Sequence, residues 1–453
     1  MTVEQCVDTL AQNVRGHVLR AGDDEFEAAR HVWNGMIDRR PKLIVRCAGA
    51  ADVVAAVNVA REQKLPLAVR AGGHSAAGNS VCDDGLMIDL SLMKSIRLDP
   101  GQRIARAEPG ATWAEFDRET QAFGLATTGG VVSTTGIAGL TLGGGIGWLG
   151  RTHGLSCDNL LSVDIVTADG RLRTASAHEN ADLLWAVRGG GGNFGVVTSF
   201  EYRLHQVGPT VMAGLLVWPR PMARDALRAF REFTQGAPEN ASAYAGLGTS
   251  PDGVPIVIVV AFHHGPTEEG EAIFAPLRRF GPPVADMIQP MPYVDAQQML
   301  DALNPPGNRV YWKSSVLEGI EDEVLDTIIE GAASCPSPLS ATLIEFYGGA
   351  INRVGVQDTA YPLRNATYAL NAVSAWTDPH HDATNIAWAR RMWESVQAFS
   401  PGSVYVNFLG VGDQSDERVK AAYGPNYLRL RQIKATYDPT NLFRLNHNIA
   451  PTV

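Results

Sequence analysis

The sequence predicts an α+β protein with two domains, and three observations support this prediction. The chain has 453 residues, more than a single hydrophobic core usually supports. Three clusters of glycine, at 72–78, 129–147 and 189–195, are confined to the first part of the chain. After about residue 205, helical stretches alternate with apolar strands, and the glycine clusters disappear.

The composition is typical of a globular protein and disfavours two classes of partner. Hydrophobic residues make up 45% of the chain and charged residues 19%. The formal net charge is −10 without a basic tract, which argues against nucleic acid and against an anionic membrane surface. No apolar run approaches the length of a membrane span, and residues 1–16 lack the apolar core of a signal peptide. The five cysteines are scattered, so we expect a cytoplasmic protein without structural disulfides.

The first domain begins with a βαβ unit. The run PKLIVRCA (41–48) is typical of a buried strand, and apolar residues at helical spacing predict a helix over 49–65. A second apolar strand over 66–73 ends in glycines. Ligands of α/β sheets usually bind at this carboxyl end of a strand.

The remaining elements of the first domain follow in order along the chain. Thr112 and Glu115 form a T-x-x-E capping box that starts a helix. The run 160–176 predicts a hairpin that turns at Asp169–Gly170. Further strands are predicted at LMIDL (86–90) and RIARAEPG (103–110), a short helix at 180–188, and an alternating strand up to residue 204.

The glycine clusters allow two interpretations. Matches to G-x-G-x-x-G start at Gly145 and at Gly190, but neither joins a strand to a helix as a dinucleotide fingerprint requires. Together the clusters can line one extended anionic ligand with backbone N–H groups, or they can be three tight turns. Three clusters in one domain, with almost none in the other, favour the shared ligand.

The sequence contains no motif for a metal site. It has no HExxH, no Walker A lysine and no metal-spaced cluster of His, Cys and Asp, so we predict no metal ligand. The neighbouring pairs His263–His264 and His380–His381 point to opposite sides of a strand. We expect both pairs at the surface.

Three stretches resemble the cofactor segments of one flavoprotein family. They are VRAGGHSAAGNSVCDDGLMIDLSLM from Val69, TGGVVSTTGIAGLTLGGGIGWLGRTHGLSCDNL from Thr128, and LLWAVRGGGGNFGVVTSFEYRL from Leu183. The family is that of the vanillyl-alcohol-oxidase-type flavoproteins with a PCMH-type FAD domain, and the sequence is more similar to its berberine-bridge-enzyme-like branch. YVNF (405–408) and the tail 423–449 resemble the C-terminal region of that branch.

The resemblance implies a fold and a domain order. The expected fold is a PCMH-type FAD-binding domain of two α/β subdomains, over 1–205, with an antiparallel-sheet substrate domain covered by helices, over 206–410. The segment 411–453 is expected to return to the FAD domain.

The resemblance also implies FAD as the cofactor, attached by a single covalent link from His74 to the 8α-methyl carbon. The alternative for His74 is an ordinary hydrogen-bonded loop histidine. Many relatives carry a second link from a cysteine in G-x-C-x-T-x-G, but Val132 occupies that position in GVVSTTG (130–136). Cys157 lies well downstream, so we expect it to be a buried, inert thiol. The other residues implied in binding FAD are Arg70, Ala71, Gly72, Gly73, Ser75, Asn79, Gly129, Gly130, Val132, Thr134, Thr135, Gly136, Gly139, Gly143, Gly145, Gly195, Val197 and Asn446.

Oxidation at a flavin needs a donor carbon and often a base for the departing proton. In SVYVNFLG (403–410), period 2 puts Tyr405 and Asn407 on one face of a predicted strand. Tyr405 is the preferred base, with Asn407 as a hydrogen-bond partner of flavin or substrate; a packed strand tyrosine fits equally well.

Two further residues are candidates for the catalytic site. Glu345 shares a strand face with Tyr347 and is the rival base, because a carboxyl group in a flavin cavity can have a raised pKa. The alternative, a charge at the sheet edge that faces water, is slightly favoured. Asn371 is a polar residue in an otherwise apolar strand.

The leading interpretation is an FAD-dependent oxidase. It would transfer a hydride from a CH–OH or CH–N centre of a small organic substrate to FAD, with O₂ reduced to H₂O₂. A dehydrogenase with another electron acceptor, or a flavin- or ligand-binding protein without turnover, are the alternatives. A single link implies a narrower cavity, which favours a hydroxylated heterocycle or secondary alcohol over a long sugar chain. The sequence indicates no oligomeric state.

Overall fold

The computed structural model describes residues 3–413 and 415–452, and two sheets are built from the first 205 residues. Their strands, with one further short pair, are β1 (His17–Arg20), β2 (Leu43–Arg46), β3 (Leu67–Arg70), β4 (Leu86–Asp89), β5 (Ile96–Asp99), β6 (Ile104–Ala107), β7 (Leu125–Ala126), β8 (Leu160–Val166), β9 (Leu172–Ser176), β10 (Val196–Arg203) and β11 (His205–Gln206). The α-helices of this part are α1 (Val3–Asn13), α2 (Phe26–Arg30), α3 (Ala50–Glu62), α4 (Trp113–Gln121), α5 (Ile137–Gly143), α6 (Gly150–His153) and α7 (Ala181–Val187).

The local elements predicted for this part are confirmed. The first sheet has the order β1-β2-β4-β3, with β2 and β3 both parallel to β4, and α3 is the predicted crossover. The second sheet, β5-β6-β10-β8-β9, is antiparallel and contains the predicted hairpin β8–β9. The Thr112–Glu115 capping box starts α4, with both of its hydrogen bonds formed. The first glycine cluster follows β3, the second lies between β7 and α6 and includes α5, and the third lies between α7 and β10.

A larger antiparallel sheet occupies the second half of the chain, in the order β15-β12-β14-β13-β18-β19-β17, with β16 paired to β12. Its strands are β12 (Thr210–Pro219), β13 (Ala241–Thr249), β14 (Pro255–His263), β15 (Ala285–Asp286), β16 (Gln289–Pro292), β17 (Arg309–Leu317), β18 (Ala341–Phe346) and β19 (Tyr368–Trp376). The helices are α8 (Ala223–Gly236), α9 (Thr267–Arg279), α10 (Tyr293–Gln298), α11 (Asp322–Ala333), α12 (Ala350–Arg353), α13 (Asp382–Ser395), α14 (Asp416–Tyr423) and α15 (Tyr427–Tyr437).

The two faces of the large sheet have different neighbours. One face packs under α8, α9, α11 and α13, in a core that includes Phe230 and Trp388. The opposite face carries Tyr244 and Glu345, which are paired across β13 and β18 and therefore project to the same side. Trp148, from the second glycine cluster's loop, packs on Tyr244 with ring centroids 4.8 Å apart. This second face is therefore turned toward the first half of the chain.

Two local expectations are wrong. Residues 403–410 do not form a strand: Val406–Phe408 is a single 3₁₀ turn, and the Phe408 N–H donates to the Tyr405 carbonyl at 2.9 Å. A short alternating run cannot by itself distinguish a strand from a turn. His263 is fully buried rather than exposed, because the end of β14 passes beneath α9; His264 is half-buried. The pair His380–His381 is exposed, as expected.

Candidate active site

The first and second glycine clusters meet backbone to backbone. A Cβ atom on Gly72 would lie 2.5 Å from the nitrogen of Gly136, and one on Gly136 would lie 2.6 Å from the nitrogen of Gly72. Only glycine permits so close an approach. Gly73 follows with φ +69°, a conformation that also favours glycine. The sequence of both loops thus brings residues 72–75 against residues 134–136.

His74 lies at this junction with its ring enclosed on several sides. The hydroxyl oxygens of Thr134 and Thr135 lie 3.3 Å from Nε2 and 3.5 Å from Nδ1 of the imidazole. The indole of Trp33 stacks on the ring, with centroids 5.4 Å apart and planes 16° apart. Burial lowers the pKa of His74 to about 4. The imidazole is therefore neutral at physiological pH and keeps a lone pair for nucleophilic attack.

The loop around His74 presents unbonded backbone amides. The backbone N–H groups of residues 72–77 have no carbonyl acceptor among the residues that the structure describes. Such consecutive free N–H groups form a concave site for anions. Beside this loop, Arg70 donates to the carbonyl of Ala29, and the Asn79 N–H donates to Ser75 Oγ at 3.2 Å. Ala71 is half-buried.

The second cluster has a buried part and an accessible part. Gly129 packs against the ring of Trp113, and Gly130 packs against Leu140. Gly139, in contrast, is exposed, and a Cβ added there would meet nothing within 4 Å. Val132 is half-buried in the turn, where its carbonyl accepts the Thr135 N–H at 3.1 Å.

The third cluster is held by the C-terminal tail. Asn446 Nδ2 donates to the carbonyl of Gly192 at 3.1 Å, and Asn193 Nδ2 donates to the carbonyl of His447 at 3.1 Å. Lys434, on α15, donates to the carbonyl of Asn193 at 2.6 Å. Gly195 and Val197 lie at the beginning of β10, where Gly195 packs tightly against the carbonyl of Val166 on β8.

Tyr405 and Asn407 reach the second cluster. The Tyr405 hydroxyl oxygen accepts the N–H of Gly145 at 2.8 Å and an N–H of Asn407 at 2.7 Å. Asn407 packs directly on Gly143, where a Cβ would overlap its amide. Burial raises the pKa of the Tyr405 phenol, although these two hydrogen bonds act in the opposite direction. The phenol is therefore neutral and rigidly placed, despite the absence of the predicted strand.

Glu345 is buried, so the expectation of a charge at the sheet edge that faces water is wrong. Its strand, β18, lies between β13 and β19 rather than at an edge. Tyr347 donates its hydroxyl proton to Glu345 Oε2, as their shared face predicted. Burial raises the pKa of Glu345 to about 7, with the Tyr347 hydrogen bond opposing the shift. This carboxyl group therefore titrates near the pH at which a general base works best.

Asn371 lies on the same sheet face as Glu345. It is opposite Leu343 in the β18–β19 register, two residues from Glu345. Its Oδ1 accepts the indole N–H of Trp312 at 3.0 Å, and its buried Nδ2 faces the Glu345 carboxyl group, where it opposes the effect of burial on the pKa of Glu345. Asn371 therefore stabilises the ionised form of Glu345 from a neighbouring strand.

Sequence reasoning missed three side chains that shape this region. Trp33 carries no motif that would have pointed to His74. Trp312 stacks on Phe408 with centroids 4.9 Å apart, which joins the sheet edge to the YVNF turn. Buried Arg151 donates to the carbonyl of Tyr347 at 2.6 Å and fixes the end of β18. Each contact joins residues far apart in sequence, and no local pattern encodes it.

The residues present fit an FAD molecule. An extended ligand with phosphates needs free backbone amides, and the loop at 72–77 offers them. The second cluster is open to a ligand at Gly139, where an added Cβ would meet nothing within 4 Å. In the tail, His447 Nδ1 and Asn448 Oδ1 are buried polar atoms without a partner among the described residues. Among residues 3–413 and 415–452, no group of three or more His, Cys, Asp or Glu could hold a metal ion.

Comparison with known proteins gives consistent matches. Residues 41–176 match the family described as FAD binding domain, and residues 404–450 match the family described as Berberine and berberine like. An FAD-linked oxidoreductase of Dictyostelium discoideum is 32% identical, over 99% of this chain and 97% of that protein. The (R)-6-hydroxynicotine oxidase of Paenarthrobacter nicotinovorans is 30% identical, over 97% of each protein.

Solved structures agree with these matches. The 6-hydroxy-D-nicotine oxidase of Arthrobacter nicotinovorans superposes with a TM-score of 0.88 at 29% identity, over 97% of this chain and 99% of that one. The BBE-like 1 protein of Physcomitrella patens also gives 0.88, at 25% identity, over 98% and 97% of the two chains. The fold is that of the FAD-linked oxidoreductases with a PCMH-type FAD-binding domain. The chain belongs to the berberine-bridge-enzyme-like family of these enzymes.

Among the described residues, no helix has the length and apolar character needed to cross a bilayer.

Cys157 is fully buried, and burial raises the pKa of its thiol far above the ordinary value. The thiol is therefore protonated and a poor nucleophile.

Proposed function

We propose that the protein is an oxidase that takes a hydride from a CH–OH or CH–N centre of a small organic substrate and passes two electrons to O₂. The observation that supports this most directly is Glu345: a buried carboxyl group with a pKa near 7, on the sheet face turned toward the glycine loops. A general base in such a place can accept the proton that leaves with the hydride. Bound FAD would supply the hydride acceptor.

We further propose that FAD is attached through His74 alone. The neutral ring, the neighbouring free amides and the glycine contact at residues 72 and 136 support attachment at this residue. The three glycine segments and Asn446 would hold the rest of the cofactor. These segments and the tail would form the FAD domain, over 1–205 and 411–453, with the substrate domain over 206–410. Val132 offers no nucleophile for a second link, and the Cys157 thiol is buried and protonated.

The side chains of the large sheet take separate roles in this proposal. Glu345 accepts the substrate proton, and Tyr347 holds the carboxylate by its hydrogen bond. Asn371, held by Trp312 through its Oδ1, orients the Glu345 carboxylate from the neighbouring strand. Tyr405, with its oxygen fixed by Gly145 and Asn407, closes the site from the side of the second cluster.

A small substrate suits the aromatic wall of this site. Trp312 and Phe408 stack on each other beside Asn371, and Tyr405 packs edge-on against Phe408 with centroids 4.8 Å apart. Apolar rings exclude water and contact a flat heterocycle well. A relative at 30% identity is named for 6-hydroxynicotine, whose amine is of the CH–N class, and this supports an amine or alcohol on a small ring.

Anaerobic mixing with candidate amines and alcohols tests the proposed reaction. An oxidase substrate bleaches the flavin absorbance without air, and admission of air restores the colour with about one H₂O₂ per flavin. Bleaching that air does not reverse, but an artificial acceptor does, would indicate a dehydrogenase. If no compound from a broad panel bleaches the flavin, the turnover proposal is wrong and a binding protein is the better description.

A further inference from the structure

Asp301 lies in the second half of the chain, yet its carboxylate binds the second glycine cluster. One oxygen accepts the backbone N–H of Ser133 at 2.7 Å, and the other accepts the Ser133 hydroxyl at 2.6 Å. Ser133 directly precedes Thr134 and Thr135, whose hydroxyls contact the two ring nitrogens of His74. Because two charge-assisted hydrogen bonds fix both backbone and side chain of one residue, Asp301 determines where the two threonines lie.

The same segment, residues 301–307, also holds the aromatic neighbour of His74. The indole N–H of Trp33 donates to the carbonyl of Asn304 at 3.0 Å, and the N–H of Gly307 donates to the carbonyl of Trp33 at 2.9 Å. Trp33 covers the face of the imidazole, whereas the two threonines contact its edge. Segment 301–307 thus supports both groups that limit the movement of the ring.

A third connection extends this support to the His74 loop itself. Asn34 is fully buried, and its Nδ2 donates to the carbonyls of Ala76 and Val310, both at 2.9 Å. Its Oδ1 accepts the N–H of Val310, the second residue of β17, at 3.0 Å. Through Asn34, the first residues of β17 are therefore tied to the His74 loop, while the preceding segment 301–307 is tied to Ser133 and Trp33.

From these contacts we propose that Asp301 and Trp33 are positioning residues for the bond between His74 and the flavin, an inference that rests on the covalent attachment in the proposed function. In that step an imidazole nitrogen replaces one hydrogen of the 8α-methyl group. The two electrons and two protons released go to O₂, which becomes H₂O₂. The step requires the nitrogen to face one carbon atom, and a displacement of about 1 Å slows such reactions by about a hundredfold.

The test measures how fast full-length protein, freshly produced with little flavin, acquires covalent flavin from added FAD in air. Acid precipitation separates bound from released flavin at each time. Asp301→Ala is expected to slow attachment by about ten- to a hundredfold. Its affinity for non-covalent FAD, from quenching of flavin fluorescence, is expected to change by less than about threefold.

Matched variants separate positioning from folding. Asp301→Asn keeps an acceptor for the Ser133 N–H and is expected to restore part of the rate. Trp33→Phe keeps a ring over His74 but loses the hydrogen bond to Asn304, and is expected to be slowed less than Trp33→Ala. Asp295 is exposed on α10, so Asp295→Asn serves as the control and is expected to behave like the wild type.

The measurements distinguish a failure of the positioning roles from a failure of the covalent attachment through His74. An unchanged attachment rate in both Asp301→Ala and Trp33→Ala, with a covalent wild type, would overturn only the positioning roles. A loss of FAD affinity that equals the loss of rate would also overturn them, because the residues would then serve binding. A wild type that releases all of its flavin in acid would refute the covalent attachment itself, and with it this inference.

Discussion

Tyr347 donates a hydrogen bond to the carboxylate of Glu345, and both side chains are buried on the sheet face opposite the covering helices. Glu345 lies on β18 and Tyr347 directly follows the last residue of that strand, so the extended backbone puts the two side chains on one side. Burial raises the pKa of Glu345 to about 7, and the Tyr347 hydrogen bond limits this rise. The pair forms a proton acceptor that titrates near neutrality.

Replacement of Glu345 is expected to remove the proton acceptor. We predict that Glu345→Gln lowers kcat by about 10²- to 10⁴-fold, as for other general bases. In the wild type, kcat should rise with pH through a pKa near 7, because only the ionised carboxylate accepts a proton. A pH profile of kcat that is identical in the wild type and the variant would exclude this role.

At alkaline pH, the Glu345→Gln variant is expected to have a higher free energy of unfolding than the wild type. The folded pKa of about 7 exceeds the unfolded value of about 4.3, so the folded state binds more protons in that interval. Wild-type stability therefore falls as pH rises from about 4.3 to 7, and Glu345→Gln avoids this loss. Thermal unfolding at pH 5 and pH 8 measures the difference, with exposed Glu330→Gln as the control.

Loss of His74 is expected to abolish covalent attachment but not the fold. In His74→Ala the glycine contacts and the tail remain, so the protein should still bind FAD and release all of it on acid precipitation. The wild type should stay yellow after denaturation and yield a flavin-bearing peptide with His74. A flavin peptide that maps to another residue would contradict the assignment.

Cys157 is expected to be irrelevant to the flavin. Its thiol is fully buried and protonated, so Cys157→Ser should leave the absorption spectrum and the covalent flavin content unchanged. The Cys157 thiol donates to Asp158 Oδ1 at 3.7 Å, and the shorter C–O bond of serine weakens this contact, which should cost about 1 kcal/mol in urea unfolding. A changed flavin spectrum, or a mapped bond between flavin and sulfur, would show that a second link exists.

Lys434 is expected to couple the tail to the third glycine cluster. It pairs with Asp438 at 2.6 Å, both side chains being fully buried, and donates to the carbonyl of Asn193. Lys434→Met leaves the Asp438 carboxylate uncompensated and should cost about 3–5 kcal/mol of folding stability. Chemical unfolding measures this loss. The double variant Lys434→Met with Asp438→Asn removes both charges and keeps one acceptor for the backbone N–H groups of Leu442 and Phe443, so it should recover part of the loss.

A cluster of three histidines predicts acid sensitivity of the junction between the two halves of the chain. His153 stacks on His205 at 3.9 Å and lies 5.4 Å from His264. Burial lowers the pKa of His153 to about 3, and those of His205 and His264 to about 4. Arg103 and Arg203 face His205, and Glu269 faces His264.

These depressed pKa values determine the direction of the effect. The unfolded chain binds more protons below the ordinary histidine pKa of about 6.5, so stability is lost as pH falls from 6.5 toward 4. His153→Phe retains a stacked ring that does not titrate and should make this loss shallower. Thermal unfolding between pH 7.5 and 4.5 tests it, with exposed His380→Phe as the control. Equal slopes in all three proteins would contradict the prediction.

Local patterns predicted much of the fold because they depend on near neighbours. The Thr112–Glu115 capping box, the β8–β9 hairpin and the crossover over 49–65 all appear where the sequence indicated. Backbone sterics and hydrogen bonds within a few residues decide such features. Period 2 failed at 403–410, because a strand also needs a partner along its length, and this run instead turns at Val406–Phe408.

The sequence by itself determined the two-domain α+β architecture, the glycine loops and the histidine between them. The close backbone approach of Gly72 and Gly136 requires glycine at both positions, so the sequence alone indicates where such an approach can occur. Tertiary structure alone decided that Glu345 is buried, and that Asp301 binds Ser133 across 168 positions. Burial and long-range hydrogen bonds depend on which surfaces pack together, and this information is distributed over the whole chain rather than over any one segment.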